Sequence, residues 1–553
     1  MSAILLLVVA SVLFIIGYIF YGSYLAKKLG IDPKQATPAH TMRDDVDYVP
    51  AKAPVLLGHH FASIAGAGPI VGPITAAVFG WVPVFLWIVL GSIFIGAVHD
   101  LTSIVASIRH KGQSIGVVID QQIGRRGKQL FLIFAWCTLV LVVAAFTILV
   151  ANTFVEKPPV GTASVFFILL AVLFGLSIYR MNAPLAVATI VGVALLLFCI
   201  WMGFQLPIVL SSQVWTWILL IYIFAASVLP VWLLLQPRDY LNSFLLYMVL
   251  VGAFIGILLK NPTITMPAFT SFSVLTGNEI ITLFPILFVT VACGAISGFH
   301  SLVGSGTTAK QLNRETDAKP VGYGGMLIEG ILAVIALIAV GTIISSNLQG
   351  EAIKIDNPIK IFAEGVGSFV ARLGIPSQVG VTFAALALSA FALTSLDTAT
   401  RLGRFAFQEF FRSEQQSAWQ TALTNRYMAT FFTVLPGGFL AFSGSYKAIW
   451  PIFGSANQML AALALLAGSV WLANKGQKNG FLRYPMYFMF AVTLTALVIL
   501  VYHKIISLLD HYSGVKILDS FNLVSTYMLA VVGTLLFVVA VILVLEAYRK
   551  LRR

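Results

Sequence analysis

Charge is what this sequence has least of. Only 10% of its 553 residues are Asp, Glu, Lys or Arg, where a soluble globular protein carries about a quarter, and 59% are hydrophobic. A soluble fold is excluded, and a chain that crosses a membrane many times is implied. Strict apolar–polar alternation is also missing, and with it a β-barrel; apolar runs of roughly 17 to 25 residues recur instead, the length an α-helix needs to span a bilayer. The three cysteines, Cys137, Cys199 and Cys293, lie in apolar runs without metal-ligand spacing or an evident disulfide partner, so they carry no information about redox compartment. No zinc motif and no Ser–His–Asp constellation is legible. GSGTT at 304–308 lacks both the lysine and the strand-to-helix setting of a phosphate-binding loop. An enzyme is therefore not expected, nor a cofactor or a metal. The net charge of +13 is not read as a nucleic-acid footprint, because in a membrane protein the placement of Lys and Arg reports topology. Met1 to Ala26 has no basic residue before it and no small-residue cleavage site, so it reads as a retained first helix.

Apolar runs ended by charge, proline or polar clusters divide the chain into about fifteen spans of roughly 20 residues each. The least distinct are the short pair on either side of Tyr179 and Arg180. Placing the loop after the first helix in the cytoplasm and alternating from there leaves only Lys157, Lys260, Lys354, Lys360, Arg372, Lys447, Lys504 and Lys516 outside, of 34 lysines and arginines. Such an asymmetry supports the orientation and the parity of the count, with the N-terminus outside and the C-terminus cytoplasmic. The organisation expected is a first helix and loop over 1–53, a core over 54–472, and two further helices with a short tail over 473–553. The largest loop, Ser346 to Ser377, is too short for a soluble domain, so function must lie within the bundle.

Two segments of that core cannot be unbroken helices. Gly58 to Pro73 reads GHHFASIAGAGPIVGP, within the span 54–80: glycines remove side chains, and Pro69 and Pro73 remove N–H donors. Phe284 to Thr308, within 280–308, is punctured by Gly294, Gly298, Gly304 and Gly306. Unpaired backbone at membrane depth costs several kcal/mol per group, so both breaks must be packed in protein or line a wet cavity. The alternation gives the two segments opposite courses, which is the pattern of an inverted-repeat transporter with a midplane site. A strict five-plus-five arrangement would put four helices between them, and the count gives six; an inserted hairpin would preserve the parity. Their small and polar residues are the candidates for substrate binding: His59, His60, Ser63, Gly66 and Gly68 in the first, and Ser297, Gly298, Phe299, His300 and Ser301 in the second.

A charged group at a helix centre costs roughly 2.5 to 3.5 kcal/mol, so intramembrane ionisable residues are candidates as well. His59 and His60 are about 100° apart on a helix, so one can face a cavity while the other packs against a neighbour; they serve either as structural imidazoles or as proton carriers. Asp100 is expected to form a salt bridge with Arg109 or to anchor the interface. Glu329 is either half of a buried ion pair or a proton carrier. Thr394, Ser395, Asp397 and Thr398 put hydroxyls and a carboxylate on successive turns. Asp397 can pair with Arg401 four residues on, or the group can join carbonyls of the first break in a coupling-ion site. Asn457 and Gln458 are expected to hydrogen-bond between helices.

Four long strings carry a resemblance: GHHFASIAGAGPIVGP (58–73), ACGAISGFHSLVGSGTTAKQLNRETDAKPVGYGGMLIE (292–329), SLDTATRLGRF (395–405) and WPIFGSANQMLAALAL (450–465). In kind and order they resemble the carbon starvation protein A family of bacterial inner-membrane transporters. The resemblance implies an all-α polytopic membrane protein of the bacterial inner membrane with a broken-helix core like that of the LeuT/APC amino-acid transporters. It also implies import of a small carboxylate such as pyruvate, or of short peptides, in response to carbon scarcity. The expected partners are that substrate, a coupling proton or sodium ion, and membrane lipid. A receptor that binds the same nutrient without moving it is the alternative. The larger family members continue further at the C-terminus, and this sequence ends at Arg553 soon after its last span, which bears on the substrate more than on the fold.

Overall fold

The protein is described by a computed structural model covering all residues except 45–47, 231–232, 277–278, 345–354, 356, 413–416, 444–445, 516–517 and 552–553. Lys354, Lys516, Arg552 and Arg553 of the charge pattern, and most of the first ten residues of the expected loop, therefore lie outside the described residues. The fold is a helical bundle. Among the described residues, twelve helices are long and apolar enough to cross a membrane, or up to 13 with a pair bent by 46° counted as one span. The two other expected spans are shorter or more polar: Ser212–Val228 has 17 residues, and Arg426–Ser443 has 18 with Pro436 inside it.

Burial sorts these helices. Leu283–Gln311 and Ala448–Asn474 are 94% buried over their apolar windows and form the centre with Arg125–Glu156 and Ser377–Phe411, whereas Leu185–Gln205 is only 11% buried. A helix apolar on every side and largely exposed is what lipid contact requires. Two features depart from a purely helical expectation. A hairpin pairs Ser273–Thr276 with Glu279–Thr282, and the expected loop before Ser377 contains the helix Pro358–Val370. That helix starts on the Asn357 side chain, which accepts from the Lys360 N–H at 3.1 Å, and it buries Phe362, Val366 and Phe369.

The two broken segments lie side by side and antiparallel. His60 of the first bonds Thr308 of the second. Gly68 abuts Cys293, and Gly72 abuts the carbonyls of Thr290 and Val291. Ascending numbers in one meet descending numbers in the other.

Candidate substrate and coupling site

The first segment is helical over Ala53–Ile64, leaves the helix at Ala65 and resumes over Gly68–Ala76. Proline falls at the start of the second half, where the missing N–H would have no helical acceptor in any case. The Gly66 N–H turns back onto the Ile64 carbonyl at 2.8 Å. A Cβ on Gly68 would stand 2.5 Å from Cys293 Sγ, so only glycine allows the two breaks to touch. The second segment is helical over Leu283–Val291, tightens at Ala292–Gly294 and resumes over Gly298–Val303 after an extended Ser297.

Asn457 closes this second break. Its Oδ1 accepts from the Phe299 N–H at 2.9 Å, and its Nδ2 donates to Ser297 Oγ at 3.0 Å and Cys293 Sγ at 3.4 Å. Gln458 donates to the Phe288 carbonyl at 2.8 Å while its Oε1 is unpartnered. Both amides bond between helices as expected, and one of them satisfies the freed backbone that makes the break tenable. Gly298 lies directly on the backbone of the same helix, against the Asn457 carbonyl and Ala461 N.

A cavity of about 970 Å³ opens at the first segment. It is lined by His59, Ser63, Thr307 and Thr398, by Asp239, and by the basic side chains Arg180, Lys310, Arg401, Arg404 and Arg426. His59 faces this cavity while its neighbour His60 is fully buried against Thr308 at 2.8 Å, the division of labour expected of adjacent helical positions. Ser63 donates to the His59 carbonyl at 2.8 Å. A separate void of about 10 Å³ lies among Ile64, Gly66, Gly68, Cys293, Phe299, Ser395, Phe146 and Phe453, which is room for one water at most. The Ser395 hydroxyl lies against Gly66 and is unpartnered. On the far side, a smaller cavity of about 150 Å³ is bounded by Val71, Thr153, Glu156, Asn357 and Tyr446.

Asp397 does not bear out the expected pairing with Arg401. It bonds Arg238, and Tyr222 donates to the same carboxylate oxygen at 2.6 Å. Arg238 also reaches Asp239 at 3.2 Å and Thr394 Oγ1 at 3.3 Å, and Asn242 donates to Thr394 at 3.4 Å. Arg401 donates instead to the Ala226 and Leu229 carbonyls, 2.9 and 2.5 Å away. A guanidinium thus stands beside Asp397 and Thr394, where a coupling cation was expected. Arg238 was missed because it falls between two expected spans, Asp239 and Asn242 because they stand at the very start of the second, and Tyr222 because it lies within an apolar run. Pro237 in the first turn of Leu235–Lys260 was the available sign that the charges lie inside a helix.

Asp100 does not meet Arg109, which pairs with Glu315. It lies between two imidazoles: His99 Nδ1 is 2.7 Å from one of its oxygens and His300 Nδ1 is 2.8 Å from the other. His300 Nε2 in turn is 3.3 Å from Glu329 Oε2. All four side chains are buried, at most 1% exposed. Ser301 donates to the Gly298 carbonyl at 2.7 Å within its own helix. The structure therefore gathers the expected residues into three groups: the cavity end, the Asp397 network, and the Asp100–His300–Glu329 line.

A family model described as carbon starvation protein CstA matches residues 2–350 and 346–496. The chain belongs to that family. Among carbon starvation relatives, it is 36% identical over 573 residues to a protein of Escherichia coli named peptide transporter CstA, covering 89% of this chain and 80% of the relative. It is 34% identical over 555 residues to another Escherichia coli protein named pyruvate/proton symporter BtsT, covering 84% of this chain and 77% of the relative. Of solved structures, a manganese transporter from Eremococcus coleocola is similar at 13% identity and a TM-score of 0.47, covering 90% of this chain and 95% of that one. As a member of the carbon starvation family the chain is a multi-pass membrane protein related to transporters. A receptor reading finds no support among these relatives.

Proposed function

We propose that this protein is a secondary active transporter, not an enzyme, that imports a small carboxylate of the pyruvate type or short peptides by proton-coupled alternating access. The observation that carries the reading is the cavity of about 970 Å³, walled by five basic side chains and ending on the first broken segment. A wall of Arg and Lys attracts a carboxylate and raises its local concentration. The volume falls in the range of ligand pockets, roughly 300 to 1,000 Å³, and has room for either substrate class. His59, Ser63 and Thr398 stand at its inner end, beside the void where Gly66, Gly68, Phe299 and Ser395 meet. The two antiparallel breaks support an inverted-repeat core in which they rock against a scaffold.

The basic wall also supports an orientation in which this cavity faces the cytoplasm of a bacterial inner membrane. A proton is favoured over sodium because Asp397 and Thr394 are engaged by Arg238, and because a relative carries a pyruvate/proton name. Purified protein in proteoliposomes, given labelled pyruvate or dialanine under an imposed pH gradient or an imposed sodium gradient, is expected to accumulate one of them under the pH gradient. Accumulation driven by sodium alone would replace the proton. No gradient-driven accumulation of any acid or peptide would sink the transporter reading.

A further inference from the structure

We infer that Asp100, His300 and Glu329 form one buried proton-binding site, with His60 connecting it towards the cavity, and that its loading permits the broken segments to move. The inference rests on the transporter reading for its role but not for its chemistry.

The site is assembled from four separate elements. Asp100 and His99 come from Trp81–Arg109, His300 from the second broken segment, Glu329 from Glu315–Ile343 and His60 from the first broken segment. Two of these are the segments that rock against the scaffold in alternating access. Four of the five side chains form a continuous line, His99–Asp100–His300–Glu329, with spacings of 2.7, 2.8 and 3.3 Å.

A purely structural ion pair inside a membrane protein balances its charges and satisfies its hydrogen bonds. This line does not satisfy its hydrogen bonds, and its centre does not balance its charges. Two carboxylates flank one bridging imidazole, so a single proton on His300 leaves the Asp100–His300–Glu329 trio with a net negative charge in a buried setting. Glu329 Oε1 has no polar partner, its Oε2 has only the 3.3 Å approach of His300 Nε2, which lacks hydrogen-bond geometry, and the Nε2 atoms of His99 and His60 are unpartnered. The polar atoms left open lie where a further proton would sit. The titratable groups close enough to act electrostatically on Glu329 are His300 and Asp100, with the Cys293 thiol of the second break. Those acting on His60 are Asp100, His300 and His59. Among the described residues, no group of three histidine, cysteine or carboxylate side chains is arranged to hold a metal ion, so a proton is the ligand this line suits.

Access runs through the first segment. His59 lines the cavity, and His60 is its neighbour in sequence. His60 Nδ1 bonds Thr308, while its ring packs by Gly325, one turn before Glu329 on the same helix. In the binding step a proton from cavity water adds to the Glu329 carboxylate, giving the neutral acid beside His300 Nε2. No bond other than that O–H forms. The trio then carries no net charge, which lowers the electrostatic cost of repacking the segments around it.

The test uses Glu329→Gln, which holds the side chain in its neutral shape, in the full-length protein. Infrared difference spectra between acid and alkaline buffer, recorded without substrate, are expected to show a protonated-carboxyl component in the wild type that is missing from Glu329→Gln. In proteoliposomes with labelled pyruvate or dialanine, accumulation driven by a pH gradient is expected to be lost in the variant, while exchange between equal pools persists and no longer varies with pH. A carboxyl region left unchanged by the substitution overturns the proton site. So does gradient-driven accumulation at the wild-type level, or the loss of exchange together with accumulation, which would mark Glu329 as structural. If the wild type accumulates no acid or peptide under any gradient, the transporter reading fails by itself and the infrared arm still decides the proton site.

Discussion

Asp397 shows what a single residue can and cannot reveal in a linear sequence. Its carboxylate, in an apolar span between hydroxyls, was legible as a group that needs a partner, and the nearest candidate on the same helix face was Arg401. Helical spacing sees only neighbours three or four positions away. The actual partner, Arg238, is 159 positions distant and belongs to another helix. Nearness along one helix likewise suggested Arg109 or an interface anchor for Asp100, when the local bond is to the adjacent His99 and the long-range bond is to His300. The Arg238 network also makes a stability prediction. Arg238 is 1% exposed and holds both Asp397 and Asp239, and removing one partner of a buried pair costs about 3 to 5 kcal/mol because the other charge is left uncompensated. Arg238→Gln is expected to lower the thermal unfolding midpoint of the detergent-purified protein sharply, and adding Asp397→Asn is expected to recover a large part of the loss. A double variant no more stable than Arg238→Gln would show that the pair is not what the arginine stabilises.

At the scale of elements, the breaks were the most legible feature, because glycine and proline act on the backbone directly and need no tertiary context to be read. Gly58 to Pro73 and Phe284 to Thr308 are interrupted at Ala65–Ala67 and near Ala292–Ser297. What could not be read was how each break is satisfied: Asn457 serves the second from 158 residues away. The helix Pro358–Val370 was hidden for a different reason. It is 13 residues long and apolar on one face only, so it fails the length criterion for a span and looks like a loop between two long apolar runs. The contact between breaks gives a prediction for function. Leucine at 68 would drive its side chain into Cys293, and overpacking a core position costs about 1 to 3 kcal/mol or shifts the backbone. Gly68→Leu is expected to abolish uptake in cells while immunoblots of the membrane fraction show normal insertion. His60→Ala is expected to do the same by removing the bond to Thr308 that ties the two segments. Wild-type uptake in both variants would show that the breaks are scaffolding alone.

The whole molecule is asymmetric about the line of the two breaks. A cavity of about 970 Å³ stands on one side and one of about 150 Å³ on the other, with Phe146, Phe299 and Phe453 around the small void between them. Phe146 meets Phe453 and Trp450 edge-on, at centroid distances of 5.9 and 6.2 Å, and Trp450 contacts Tyr446 at 5.1 Å, so aromatic packing closes the smaller side. Beyond it, Asn357 donates to both oxygens of Glu156 at 2.7 and 2.8 Å, fastening the start of Pro358–Val370 to the end of Arg125–Glu156. This arrangement is open towards the basic end and shut towards the other. If the positive-inside pattern sets the orientation, the open end is cytoplasmic. A cysteine-free background that replaces Cys137, Cys199 and Cys293 allows both claims to be checked with single thiols. Thr398→Cys, on the large cavity, is expected to react rapidly with a membrane-impermeant maleimide in inside-out vesicles and slowly in right-side-out vesicles. Thr153→Cys, 3% exposed on the small cavity, is expected to react slowly in both until a substrate and an imposed gradient populate the opposite state. Rapid labelling of Thr398→Cys from the periplasmic side would reverse the orientation. Equal, gradient-independent labelling of both positions would mean that the two cavities do not alternate.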